Sequence, residues 1–359
     1  MSKRKILYSI VSVGLGNLSR TLAILEELPS DKYEIRFIAQ GKVYEYLKSR
    51  FQTYQFEEIV YSSGKFDLIS VLKKNYLFPL KYLRNVKKAF KIIDDYKPDA
   101  LIVDSDFFCF YPARKRRIPI ISLNSSLATV TKFIQFRSSI FDKFFSYFFI
   151  EKVDAFLQKK FPDLIICPVI SKLENSPSKF HQVNPIVRRQ FIGTGDRRYT
   201  SVPDSQVYDI AVMLGGSVIG MGNIDLSGYK GKCLIIGQKK GINGPPNTHH
   251  IEFTEEPAKY LSQAKIIIVQ GGFNSISEVI ALGKPAVFVP IKGHCEQFVN
   301  AKWAEELGIG IVAEGNNVIK AISELEENYS RYFNNCKQNA TVCNGAIESA
   351  HILQEFIDA

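Results

Sequence analysis

Short runs of β-branched residues punctuate the chain, each followed by glycine or a polar turn and then by a segment with helical spacing. A run of this kind bounded by turn residues predicts a strand buried on both faces. Its alternation with amphipathic segments predicts a parallel sheet covered by helices. In the first half the predicted strands are residues 6–13, 33–39, 100–103, 118–122 and 164–167. In the second half they are residues 208–214, 233–236, 266–269 and 286–289. The alternation occurs twice, so two α/β domains are expected, at 1–185 and 207–340. A linker at 186–206, polar from 193 to 205, joins them, and a last helical segment occupies 341–359.

Residues 266–301 carry the densest chemistry. The strand 266–269 runs into Gln270 and the turn Gly271-Gly272, which needs no Cβ. Phe273, Asn274 and Ser275 then open a helix that Asn274 or Ser275 can cap, and Glu278 lies at capping-box spacing from Ser275. The N–H groups at such a helix start, with the positive end of its dipole, suit a diphosphate. The strand 286–289 ends at Pro290, and the loop beyond it carries His294, Glu296, Gln297 and Asn300. That places them at the carboxyl edge of a sheet, where open α/β folds bind ligands.

In order and spacing, Gly272-Phe273-Asn274-Ser275, Glu278, Glu296-Gln297 and Asn300-Ala301 resemble the donor-binding motif of GT-B glycosyltransferases. These include the UDP-glycosyltransferases and the bacterial enzymes that glycosylate a polyprenyl-diphosphate peptidoglycan precursor. The resemblance implies an α/β fold of two Rossmann-like, doubly wound domains facing a cleft, with the C-terminal helix crossing back to the first domain. It implies that Asn274 and Ser275 hold the donor diphosphate, Glu278 the ribose hydroxyls and Glu296-Gln297 the transferred sugar. Gly215-Gly216-Ser217, after the strand 208–214, resembles the family's other donor loop. Phe253, in His250-Ile251-Glu252-Phe253, resembles the ring that stacks on the base, the alternative being an ordinary core ring. Where plant members carry a histidine this chain has Gln270, which still donates a hydrogen bond.

The segment Gly14-Leu15-Gly16-Asn17-Leu18-Ser19-Arg20 resembles the first acceptor-side loop of the same family. Related enzymes place a histidine near the reacting hydroxyl, where this chain has Asn17, and an amide is no general base. Three readings follow. Asp104 or Asp106, after the strand 100–103, supplies the base, unless both serve only in turn formation. The acceptor is an already ionised phosphate or carboxylate. Or the donor is bound and not turned over.

At 359 residues, 46% hydrophobic and 23% charged, the composition is that of a globular protein of more than one core. The six cysteines, at 109, 167, 233, 295, 336 and 343, form no CxxC pair and read as reduced, intracellular, buried thiols. His294-Cys295 has no matching ligand pair elsewhere, so no metal is expected. Lys3-Arg4-Lys5 before an apolar run imitates a signal peptide, but no small-residue cleavage site follows, so a cytoplasmic protein is expected.

Charge is divided unevenly within the net +10. The first 200 residues hold 34 basic against 19 acidic, the rest 12 against 17. A basic first domain implies an anionic partner. No nucleic-acid recognition signature accompanies it. Residues 133–149, FIQFRSSIFDKFFSYFF, are densely aromatic, and Arg137, Asp142 and Lys143 forbid a membrane span. The segment predicts an interfacial helix at the inner face of a membrane, against the alternative of a core or dimer contact. Arg114-Lys115-Arg116-Arg117 and the pairs Lys73-Lys74 and Lys87-Lys88 would add charge. The resemblance thus implies a hexosyl- or N-acetylhexosaminyltransferase moving sugar from a UDP-sugar to a lipid-linked or anionic acceptor, with inversion and without a metal. The alternatives are a nucleotide-sugar epimerase of related fold and a non-catalytic donor-binding scaffold.

Overall fold

The computed structural model describes residues 3–11, 16–58, 77–136, 143, 146–174, 179–192, 207–214, 224–237, 241–252, 254–313, 317–340 and 342–359. Two parallel sheets organise it. The first contains β1 (Arg4–Ile10), β2 (Tyr33–Ala39), β3 (Thr53–Gln55), β4 (Ala100–Asp104), β5 (Ile120–Leu123), β6 (Leu164–Pro168) and β7 (Phe180–Val183). Their spatial order is β3-β2-β1-β4-β5-β6-β7. In the second half lie β8 (Tyr208–Met213), β9 (Ile224–Asp225), β10 (Cys233–Ile236), β11 (Ile242–Asn243), β12 (Thr248–Ile251), β13 (Ala264–Val269), β14 (Ala286–Phe288) and β15 (Gly310–Val312). The second sheet runs β12-β10-β8-β13-β14-β15, and β9 pairs with β11 in a separate ladder. Each sheet therefore starts in its middle, winds outward one way, then returns and winds the other way. That doubly wound order leaves a switch point between β1 and β4 and another between β8 and β13.

The central strands are legible because they are buried on both faces. Ile6, Leu7, Ile102, Ile210, Ile266 and Ile268 are all at or near zero exposure. Short edge strands such as β3 and β12, with polar residues and no apolar run, carry no such mark and were not expected.

Seven helices position the site: α1 (Gly16–Leu25), α2 (Phe78–Tyr96), α3 (Ser126–Gln135), α4 (Lys152–Lys160), α5 (Phe273–Leu282), α6 (Cys295–Glu306) and α7 (Gly345–Asp358). A π-helical turn, Tyr147–Glu151, leads into α4. The last helix does cross back. Ala346, Ala350, Leu353 and Ile357 of α7 share a core with Ile6, Ile24 and Ile166 of the first sheet and its helices. The Glu348 carboxylate accepts from the Asn184 backbone N–H at 2.7 Å, which fixes the crossing. All six cysteines are free and buried.

Candidate functional site

Each sheet delivers one helix start to its switch point, and the two starts meet. At the second sheet β13 ends at Val269, and α5 begins at Phe273 with Gly272 as its N-cap. No side chain caps this helix, contrary to the capping box expected from Ser275 and Glu278. Asn274 and Ser275 sit inside the first turn instead, so its N–H groups stay uncapped and suit an anion. The Asn274 Oδ1 is buried without a hydrogen-bond partner.

The turn before α5 is braced from α6. A Cβ on Gly271 would lie 2.1 Å from the Gln297 carbonyl oxygen, so only glycine allows this approach. Asn300, fully buried, donates to the Gly271 carbonyl at 3.3 Å. The Gln297 Oε1 accepts from the Ile291 N–H at 3.0 Å and holds the loop from β14. His294 is the N-cap of α6, its Nδ1 accepting from the Gln297 N–H at 3.4 Å. Burial lowers its pKa, with Glu296 opposing, which suits a neutral acceptor ring. Gln270 is buried beside the turn. Phe273 was expected among the donor contacts; its ring packs in the core with Val269, Ile276 and Ala301.

Glu278 is buried, and its nearest cation is Arg188, 3.6 Å away. Burial raises its pKa to about 7 against the pull of that guanidinium. Arg188 was missed from sequence. The signal was a charge directly after Ile186 and Val187, which are buried. Its NH1 also donates to the Glu255 carbonyl at 3.4 Å, while its Nε is buried without a partner.

At the first sheet α1 begins at Gly16, next to Asn17, which is half-buried. Arg20 on α1 reaches under the end of β4 and grips Asp104 with two nitrogens, Nε to Oδ2 at 2.8 Å and NH2 to Oδ1. Both side chains are buried. Burial raises the Asp104 carboxyl and the guanidinium opposes it; the two-pronged contact keeps the pair charged. Asp106 is buried too, accepting from the Ser9 hydroxyl and from the Phe108 N–H at 3.0 Å. Neither carboxylate is an open base; each is committed to the protein.

Glu296, at the start of α6, acts electrostatically on Arg20 from the other sheet. It also acts on Glu151 and Asp154, which sequence reasoning missed. Gly14, Gly215, Gly216, Ser217 and Phe253 lie outside the described residues. His250, three residues earlier in the sequence, stands on β12, where its Nε2 donates to the Gly237 carbonyl at 2.7 Å. Among the described residues, no set of three His, Cys, Asp or Glu is arranged to hold a metal ion.

The aromatic segment divides. Phe133 and Tyr147 are core, packed with Cys295, Phe298 and Val299. Arg137, Asp142, Phe144 and Phe145 lie outside the described residues. Phe148, Phe149, Ile150, Val153 and Phe156 are exposed beside Lys152, Lys159 and Lys160. A second exposed apolar group, Leu77, Leu80 and Leu83, opens α2, whose Arg84, Lys87, Lys88 and Lys91 line a surface depression. Among the described residues, no helix is long and apolar enough to cross a membrane.

Known proteins resemble this chain along nearly its whole length. A Methanosarcina mazei protein named as an uncharacterized glycosyltransferase is 25% identical over 382 aligned residues, covering 98% of this chain and 99% of its own. The UDP-N-acetylglucosamine--N-acetylmuramyl-(pentapeptide) pyrophosphoryl-undecaprenol N-acetylglucosamine transferase of Clostridium tetani is 24% identical, covering 95% of each chain. In structure, Acinetobacter baumannii MurG superposes with a TM-score of 0.61 at 16% identity, over 98% of this chain and 99% of that one. The calicheamicin glycosyltransferase CalG4 gives 0.65 at 16% identity, over 100% and 99%. These likenesses make the fold GT-B. With the model of glycosyl transferase family 1 matching residues 4–325, the chain belongs to that family of glycosyltransferases.

Proposed function

We propose that the protein transfers a hexosyl or N-acetylhexosaminyl unit from a UDP-sugar to a lipid-linked or anionic acceptor, inverting the anomeric carbon and using no metal. The observation that carries this reading is the uncapped start of α5, with Asn274 Oδ1 unpaired, facing the start of α1. There the first-turn N–H groups would hold the diphosphate, whose departure as an anion they stabilise. Glu278 would take the ribose hydroxyls, and Glu296 the sugar. The Arg20–Asp104 pair would keep a fixed positive charge close to Glu296.

The acceptor reading draws on the relatives' polyprenyl-linked substrate and on the surface of the first sheet's domain. Exposed rings and lysines around α4, and leucines and basic residues on α2, suit an anionic membrane at its cytoplasmic face. Incubation with UDP-N-acetylglucosamine, UDP-glucose and an extract of polyprenyl lipids tests the proposal. Transfer releases UDP and labels the lipid. A sugar isomer formed without any acceptor would instead mark an epimerase, and binding without turnover a scaffold.

A further inference from the structure

Arg188 lies in the segment that leaves β7 and crosses to the second sheet, and its backbone is fixed on both sides. Before it, Ile186 and Val187 are buried, and the Asn184 N–H is held by Glu348 of α7 at 2.7 Å. After it, Arg189 makes two contacts to the Glu27 carboxylate, at 2.8 and 3.0 Å, just past the end of α1. The Gln190 amide donates to the Glu255 carbonyl at 3.0 Å. A side chain leaving so anchored a backbone has less freedom to lose when it meets a ligand.

What that side chain meets within the protein falls short of what it can bind. Its NH2 stands 3.6 Å from Glu278 Oε1, an ion-pair distance too long for a hydrogen bond. NH1 reaches the Glu255 carbonyl only at 3.4 Å, and Nε is buried with no acceptor. Glu278 is equally unfilled. It is 7% exposed, and among the described residues Arg188 is the one polar partner of its carboxylate. A buried donor left unpaired is costly, and a ligand that fills it removes the cost. Residues four apart share a helix face, so Glu278 and the unpaired Asn274 Oδ1 lie on one side of α5.

The chemistry of the missing group follows from the two charges. A phosphate oxygen accepts from a guanidinium but is repelled by a carboxylate standing 3.6 Å from it. A hydroxyl is neutral, accepts on its oxygen and donates its hydrogen, and so satisfies both groups at once. We propose, resting on nucleotide-sugar binding at α5 as read above, that Arg188 and Glu278 together read a ribose hydroxyl of the donor. The hydroxyl oxygen accepts from the guanidinium, and its hydrogen is donated to the carboxylate. Arg188 thereby makes the site selective for ribonucleotides, because a deoxyribose leaves the guanidinium and the carboxylate facing each other with neither filled.

The test measures binding of UDP, 2′-deoxy-UDP and 3′-deoxy-UDP to the full chain by titration calorimetry, one unit above the Glu278 pKa of about 7. Wild type should bind UDP at least about tenfold more tightly than one of the two analogues. Arg188→Gln should reduce that preference to within about threefold, by weakening UDP while leaving the analogue nearly unchanged. Arg188→Lys keeps the cation but not the fork, and should reduce the preference by at least about threefold, which keeps the test decisive if the Gln variant does not fold. Because Arg188 also touches the Glu255 carbonyl, a merely structural role would lower the melting temperature and weaken all three ligands alike. Folded variants that keep the wild-type preference overturn the assignment of Arg188, as does a wild type that binds all three ligands equally. A wild type that binds none of the three overturns nucleotide binding at α5, and the role of Arg188 with it.

Discussion

Asn274 of α5 and Gly16 of α1 are packed so closely that a Cβ on Gly16 would stand 2.7 Å from the Asn274 Nδ2. Two helix starts from separate sheets thus meet at one point. Gly16→Ala should displace only the tip of a flexible side chain. We expect a small change in melting temperature and UDP binding weakened by about threefold to tenfold, an affinity loss of roughly 0.7–1.4 kcal/mol. Gly271→Ala is different, because its Cβ meets the Gln297 backbone at 2.1 Å. It should lower stability by about 1–3 kcal/mol, read as a fall in the urea midpoint. Equal behaviour of the two variants would contradict this geometry.

Glu278 and Glu296 should separate in binding experiments. Glu278→Ala removes the proposed ribose contact shared by all donors and should weaken UDP by about 1.5–3 kcal/mol. Glu296→Ala should leave UDP affinity nearly intact while reducing discrimination between UDP-glucose and UDP-N-acetylglucosamine. Titration calorimetry with UDP and both sugars distinguishes the roles. Unchanged UDP affinity in Glu278→Ala removes the ribose assignment.

Glu278 should also make stability depend on pH. Its folded-state pKa is raised from 4.5 to about 7. The folded chain therefore holds this proton to higher pH than the unfolded chain does. The favourable contribution is fully present below about 4.5 and is lost as pH rises through about 7. Glu278→Gln keeps a neutral group at all pH values. Relative to wild type its melting temperature should rise between pH 5 and pH 8, while UDP binding falls. A difference in melting temperature that is flat over that window would place the carboxyl in an ordinary environment.

The exposed rings give the membrane reading its own test. The protein should co-sediment with vesicles containing anionic lipid, and high salt should release only part of it, since salt screens lysines but not inserted rings. Phe148, Phe149 and Phe156 are 37%, 58% and 61% exposed, so replacing all three with serine should release the rest without lowering the melting temperature. Phe133→Ser, at a 4% exposed core ring, should instead cost about 3–5 kcal/mol of stability. Failure of the wild type to bind such vesicles at low salt rules out attachment.

Local pattern carried much of this protein. Residues 266–269 and 233–236 announce β13 and β10 because a strand buried on both faces must be apolar at every position. The donor turn is equally legible, since glycine, helix start and glutamate are neighbours in sequence and their spacing is their geometry. Partnerships between distant segments are not written that way. Arg20 and Asp104 are 84 residues apart, and nothing near either shows that each occupies the other. Glu278 meets Arg188 from the segment before the second sheet, and Asp154 meets Asn124 from 30 residues away. Periodicity also marked residues 133–149 as apolar without saying which rings α6 would cover, and it placed a cap on α5 that the turn at Gly272 does not use. A single chain segment determines which faces avoid water; which buried charge is paired, and which carboxyl is left to hold a proton, is decided when two sheets bring separate segments into a low-dielectric space.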